Sequence, residues 1–516
     1  MNYPVWELEL GGGLLIALVA VTHVFVSHFA VGGGLFLVAS EARAARRGDV
    51  AMLAWLRRHT KFFTLLTLVF GATTGVGIWF TIGLVHPVAT SALIHTFVWG
   101  WAIEWVFFFV EIAAALLYLA SWDRVDRKTH LAIGWIYFGA AFGSLFVING
   151  ILSFMLTPGA WLTTRAFADG FFNPTFWPSL LVRTLGAMAL AGTYVFVTAW
   201  REEPELRARL ARWAAAWVVP ATALAPVAAW LYFRAAGLEL LAATRSEVVG
   251  AVHSWRLVVA ASLASAAIVG AVAHLARRRP RLVSLPLGVL LLALGLASIG
   301  GAEFIRESLR KPFVIGGRDG GYLYVNGLTP EEQAQTRAAG LLRSARWTAT
   351  AGAPGRDDPR AGEELFRFAC RGCHTVNGYR GIRSYVDGKP VSAIALALSR
   401  LDRLRGRMPP FPGNEEEQRL LAAYLARLDG VVEPAPAVPP GDLLARGKRV
   451  LEEHCLICHA DVPLRPRVTG WDERRAYDAL GRLPSLNPAM PDFDGTEEER
   501  RSLAAYLAAL AAGRVE

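Results

Sequence analysis

Eight apolar stretches, at about 12–40, 62–85, 92–121, 131–156, 179–200, 213–233, 253–276 and 282–307, constrain this chain more than anything else in it. Each is long enough to cross a hydrocarbon core of about 30 Å as an α-helix, and helices satisfy their own backbone hydrogen bonds there. The expected fold is therefore all-α, a polytopic membrane bundle of about eight spans over residues 1–310. The first stretch is too long and too rich in glycine, with too little positive charge before it, for a cleaved signal peptide, and it is expected to stay as a span.

The net charge of +10 could suggest a nucleic-acid partner, but the placement of the charges argues against one. Arginine and lysine gather in alternate short loops: Arg43, Arg46, Arg47, Arg57, Arg58 and Lys61, then Arg124, Arg127 and Lys128, then Arg201, Arg207, Arg209 and Arg212, then Arg277, Arg278, Arg279 and Arg281. The other loops hold little more than Arg165 and Arg245. Basic loops face the cytoplasm. An even number of spans then places both termini, and everything after residue 310, on the outer side of a bacterial inner membrane.

All four cysteines lie in that outer part, in two copies of one pattern: Cys370-Arg-Gly-Cys373-His374 and Cys455-Leu-Ile-Cys458-His459. Paired Cys-x-x-Cys can hold zinc. A histidine directly after the second cysteine in both copies is what covalent haem requires instead, with the cysteines forming thioethers and the histidine lying under the iron. Two covalent haems c are expected. Met408 follows His374 by 34 residues (408 − 374) and Met490 follows His459 by 31 (490 − 459), each on a proline-rich loop before an acidic cap and a closing helix. Both are candidate sixth ligands, and thioether ligation raises the haem potential. A Met filling a gap in the core is the alternative. Each module resembles class I cytochrome c. The domain plan is a membrane domain at 1–310, a connector at 311–358 with a short helix near Pro330 to Gly340, a first cytochrome c module at 359–430, a stiff proline-rich linker at 431–440, and a second module at 441–516.

Ionisable groups inside membrane spans are costly and mark functional positions more often than not. His23 and His28 lie in the first stretch, Glu104 and Glu111 in the third, and Glu303 and Glu307 near the end of the eighth. Glu104 and Glu111 are two helical turns apart, on one face and about 10 Å from each other along the axis. They could pass protons or approach a haem iron; the alternative is a carboxyl satisfied within the bundle. His28, five residues beyond His23, points elsewhere.

His23, Glu104 and Glu111, the following Ser121-Trp-Asp-Arg124, Asn149-Gly150, and Glu307-Ser-Leu-Arg310-Lys-Pro-Phe together resemble subunit I of cytochrome bd quinol oxidases over about residues 1–313. The resemblance implies two non-covalent haems of b or d type in the membrane domain. It implies His23 as an axial ligand, Glu307 as the ligand of the neighbouring haem with Glu303 a second candidate, Glu104 and Glu111 on the proton route or beside that haem pair, and Arg310 paired with propionates. It also implies a second membrane subunit. The family's low-spin haem uses a His in span five and a Met in span seven, where this chain has Arg183 and Leu257, and the outer loop that serves quinol is cut to about 235–251. Two haems c on that same side are then expected to replace quinol and the low-spin haem as the electron input. The leading expectation is a respiratory oxidoreductase, a bd-like terminal oxidase taking electrons from a periplasmic donor through haem c to a site that reduces oxygen to water. The alternative is an electron-transfer subunit without oxygen chemistry, linking a periplasmic partner to the quinone pool or to a larger complex.

Overall fold

The computed structural model describes residues 8–237, 253–317, 321–344, 360–404, 408–429, 442–459, 463–487, 490, 492, 493 and 495–515. Most of the shortened loop 235–251 and all of the linker 431–440 lie outside the described residues. Eight helices are long and apolar enough to cross a membrane: Gly12–Arg46, Val50–Val85, Val98–Ala120, Arg127–Phe154, Phe176–Thr198, Pro204–Ala236, Leu257–Arg278 and Leu285–Arg310. The fold is all-α, as the apolar periodicity implies.

Several helices run beyond their apolar stretches into the basic loops. The first continues to Arg46, and the second begins at Val50, where Asp49 accepts from the Met52 amide as its cap. The fourth starts on Asp126, which accepts from the Lys128 and Thr129 amides. Such caps satisfy amides that the first turn leaves unpaired, so the helix can begin in water before it meets lipid. The third span starts later than expected, at Val98, because Pro87–Thr96 is a separate short helix. A π-helical segment, Leu65–Gly71, interrupts the second span.

Small residues set the closest helix crossings. A Cβ on Gly32 of the first span would stand 1.9 Å from the Ala187 carbonyl oxygen of the fifth, and one on Gly192 would stand 2.8 Å from the Ala214 oxygen of the sixth. With no hydrophobic drive between helices in lipid, this close approach supplies the packing contacts that hold the bundle. Around it lies an aromatic core of Phe29, Phe36, Trp55, Tyr194 and Trp217. A second core of Phe97, Phe154, Trp161, Phe171 and Phe176 caps the bundle at the other end. That end also carries a small antiparallel pair, Phe313–Ile315 with Leu323–Tyr324, which apolar periodicity had no means of announcing.

Where the spans end in the basic loops, Glu41 is fully buried. Its oxygens accept from Tyr118 Oη at 2.5 Å, Arg127 Nη1 at 2.5 Å and His130 Nδ1 at 2.8 Å, which ties the first, third and fourth spans together. Removing one member of a buried charged cluster strands the others and costs about 3–5 kcal/mol. Glu41→Ala is therefore expected to lower the thermal unfolding midpoint of the detergent-solubilised full chain, with Glu41→Gln, which keeps an acceptor, falling between the two. An unchanged midpoint in Glu41→Ala would remove the cluster from the list of what holds the bundle together.

The two C-terminal modules are built on one plan. In the first, helix Arg360–Ala369 crosses the closing helix Glu415–Ala426, and Gly362 lets it reach within 2.4 Å, from a notional Cβ, of the Tyr424 Cβ. In the second, Leu443–Val450 crosses Glu497–Ala511 at Gly447, where a Cβ would stand 2.7 Å from that of Tyr506. Each closing helix opens on a reciprocal capping box, Asn414 with Glu417 and Thr496 with Glu499. Connector helix Pro330–Ala339 has a third box, Thr329 with Glu332. The connector packs onto the first module: Glu417 accepts from the Leu341 and Leu342 amides at 2.8 Å, and Gln333 Nε2 donates to the Pro410 carbonyl at 2.8 Å.

Candidate functional site

The first Cys-x-x-Cys-His turn follows directly on helix Arg360–Ala369. Cys373 and His374 amides both donate to the Cys370 carbonyl, at 3.0 and 2.9 Å, so the five residues form one compact turn. His374 Nδ1 bonds the Arg380 carbonyl at 3.1 Å, which fixes the ring and leaves Nε2 for a metal. Desolvation holds its pKa below the ordinary histidine value, favouring the neutral form that binds iron. Burial pushes the Cys370 thiol up to about 12, the opposite of what a zinc thiolate needs. Among the described residues no three His, Cys, Asp or Glu side chains converge as a metal-ion site. Turn, cysteines and oriented histidine all fit a covalently attached haem.

In the second module Cys455 closes a π-helical turn, Leu451–Cys455, and His459 follows at the end of the next helical turn; the Cys458 side chain lies outside the described residues. Met408 and Met490 are both half-buried and each is followed three residues on by a phenylalanine. Phe411 shares a core with Cys370, and Phe493 shares one with Cys455. The Met loop and the attachment turn thus pack on one core in both modules.

In the bundle, His23 Nδ1 lies 3.2 Å from the Gly71 carbonyl and 3.1 Å from Thr74 Oγ1. Gly71 ends the π-helical segment of the second span, and such bulges recur at functional sites. With Nδ1 held, Nε2 is left for a metal, the arrangement expected of an axial ligand. Gly75 sits against the ring, where a Cβ would stand 3.0 Å from Cε1. His28 is turned away, its Nδ1 on its own helix at Val24 O, 2.7 Å, and its ring beside Gly186 of the fifth span.

Glu104 accepts from Ser144 Oγ at 3.0 Å and Glu111 from Tyr137 Oη at 3.3 Å, two pairs between the third and fourth spans. Glu303 accepts from Arg183 Nη2 at 2.9 Å and Arg306 Nε at 2.8 Å. Glu307 is gripped at both oxygens by Arg310, 2.7 Å each, with Lys311 Nζ at 2.9 Å. Glu307 and Arg310, expected to serve a haem, are thus paired with each other in this arrangement. Arg183 is buried in its ion pair, whereas Leu257 is exposed on the seventh span.

His86, outside the spans, went unnoticed in the sequence. A Cβ on Gly372, inside the first attachment motif, would stand 2.5 Å from His86 Cε1. Desolvation, with Lys311 and Arg310 nearby, pushes the His86 imidazole down to about 4. The neighbouring Tyr379 amide donates to the Glu9 carbonyl at 3.1 Å. The first haem-attachment turn therefore rests on the loop between spans two and three, beside the end of span eight. The only trace in sequence is the glycine at 372, where the second motif has Ile457.

Residues 14–236 match the family cytochrome bd terminal oxidase subunit I, and residues 357–425 and 442–507 match cbb3-type cytochrome c oxidase subunit III. The chain joins a cytochrome bd subunit I-like membrane domain to cytochrome c domains. Among solved structures, the bd oxidase from Geobacillus thermodenitrificans is similar at 16% identity and a TM-score of 0.49, covering 60% of this chain and 88% of that one. No curated protein matches the chain. These matches and the eight apolar helices support a multi-pass membrane haem protein of respiratory electron transfer.

Proposed function

We propose that this protein is a bd-like terminal oxidase subunit in which two periplasmic haems c deliver electrons to a membrane haem site that reduces oxygen to water. The observation that carries the proposal is the seating of the first attachment turn on the bd-like domain, Gly372 against His86, next to the Glu307–Arg310 pair. A haem held by Cys370, Cys373, His374 and Met408 would lie against the membrane domain rather than on a free tether. Cys455, Cys458, His459 and Met490 would hold the second, nearer a soluble donor.

Within the bundle His23 is the proposed axial ligand of a b- or d-type haem, which when bound supplies oxygen binding and reduction. Gly71 and Thr74 orient the His23 ring. Glu104 with Ser144 and Glu111 with Tyr137 hold protons at carboxyl oxygens bridged to hydroxyls, two turns apart on the third span. The third span presents Trp99 and Phe109, each 73% exposed, on its outer face, where a second membrane subunit would pack.

Oxygen uptake by the purified protein in nanodiscs, driven by a reduced c-type cytochrome or by quinol, tests the proposal. Faster uptake from the cytochrome is expected. Uptake from quinol that outpaces the cytochrome would refute haem c as the electron input, and no uptake from either would favour the electron-transfer reading. Gly372→Val is expected to keep both covalent haems yet slow reduction of the membrane haem in stopped-flow, because the added side chain meets the His86 ring. An unchanged rate would show that electrons do not cross at that contact.

A further inference from the structure

A cavity of about 200 Å³ lies among the fifth to eighth spans, lined at one end by Arg183, Tyr232, Glu303 and Arg306 and farther in by Ala189, Leu190, Thr193 and Ala221. Among the described residues, three buried polar atoms of that lining have no hydrogen-bond partner: Arg183 Nε, Tyr232 Oη and Arg306 Nη1. All three can donate. Glu303 accepts from Arg183 Nη2 and Arg306 Nε but bonds none of these three atoms. Among the other hydroxyls of the lining, Ser298 donates to the Ser262 carbonyl, and Thr193 and Thr222 bond their own helices. Arg306 also reaches Glu307 at 3.7 Å, but Arg310 and Lys311 pair with that carboxylate too, so four cations meet two carboxylates and leave an excess positive charge and three unmet donors in a part of the bundle where each is costly.

The donors sit at the end of the bundle that carries the cytochrome c domains. Arg306 is one turn from the end of its helix at Arg310, and Tyr232 is one turn from Ala236. From Arg183 the lining runs along the fifth span to Thr193, about 15 Å towards the membrane centre at 1.5 Å per residue. A polar head at the interface and an apolar body directed inward are the two halves of a lipid. The excess charge calls for an anionic acceptor.

We infer that this cavity binds one anionic phospholipid. Its phosphate accepts from Arg183 Nε, Arg306 Nη1 and Tyr232 Oη, and one acyl chain lies along Ala189, Leu190 and Ala221. The lipid fills the space beside Arg183 and completes the hydrogen bonding of the two arginines. The inference does not depend on whether the protein reduces oxygen.

The test is extraction of the full chain after prolonged washing in mild detergent, with mass-spectrometric quantitation of phospholipids and quinones and parallel haem counting. Wild type is expected to retain about one anionic phospholipid per chain. Arg183→Leu, and Tyr232→Phe as the milder variant, are expected to lower retention about tenfold and by a smaller factor, since hydrogen bonds to charged groups are the stronger ones and each factor of ten is about 1.4 kcal/mol. Covalent haem content should not change in either. Retention of a quinone, of a non-covalent haem that is lost in Arg183→Leu, or of zwitterionic lipid in place of the anionic one would overturn the inference, as would equal retention in wild type and both variants.

Discussion

His23→Ala is expected to abolish the carbon-monoxide-reactive haem and reduce oxygen uptake to background, while both haems c stay attached. The imidazole is held by a backbone carbonyl and a hydroxyl on the second span, with its other nitrogen left for a metal. Alanine removes the ligand and leaves the Gly71 carbonyl facing a void. Changing an outer-shell partner alone lowers metal affinity or activity about 10–100-fold, so Thr74→Val should give an intermediate loss and the ligand change a larger one. Spectra of purified variants separate the two sites, because the covalent haems depend on residues after 369 and not on the bundle. A carbon-monoxide signal that survives in His23→Ala would move the oxygen-binding site elsewhere.

Cys370→Ser with Cys373→Ser is expected to leave one covalent haem per chain and to stop electron delivery from every donor. Serine forms no thioether, and His374 alone holds a haem only reversibly. The matching change at Cys455 and Cys458 should also leave one covalent haem, with a different consequence. The first module rests on the bd-like domain through Gly372 and His86, whereas the second attachment turn, Leu456–His459, packs against helix Val391–Leu398 of the first module. Without the second haem, a small artificial reductant should still drive oxygen uptake through the first, and a protein donor should do so poorly. Equal losses with both kinds of reductant in the two variants would show that the haems do not act in series. Mass spectrometry checks the covalent haem count and stopped-flow the rates.

The sequence carried the spans and the attachment motifs because both are local signals. An apolar run has only one stable form in lipid, and Cys-x-x-Cys-His completes its chemistry within five residues. Helix ends were less legible, since the first span keeps its helix to Arg46 through polar residues that hydropathy reads as loop. Partners distant in sequence were not legible at all. Glu41 lay just past the apolar run and gave no hint of Tyr118, Arg127 and His130, 77 to 89 residues away. Arg183 stood out as a residue unable to bind iron, but its pairing with Glu303, 120 residues on, comes only from the packing of spans five and eight. For Glu307 and Arg310 the spacing of three that suggested two separate roles also places them in direct contact on one helix face. His86 was hidden because a single histidine in a loop has no periodicity to betray it.

The central claim, that electrons from haem c meet a membrane haem able to bind oxygen, is tested most directly by one experiment on the purified protein. Reduced-minus-oxidised and carbon-monoxide difference spectra are recorded together with pyridine haemochrome quantitation of each haem type. Two haems c with a carbon-monoxide-reactive b- or d-type haem is the expected result. Two haems c with no carbon-monoxide-reactive haem would contradict the oxidase and leave an electron-transfer subunit built on a bd-like bundle.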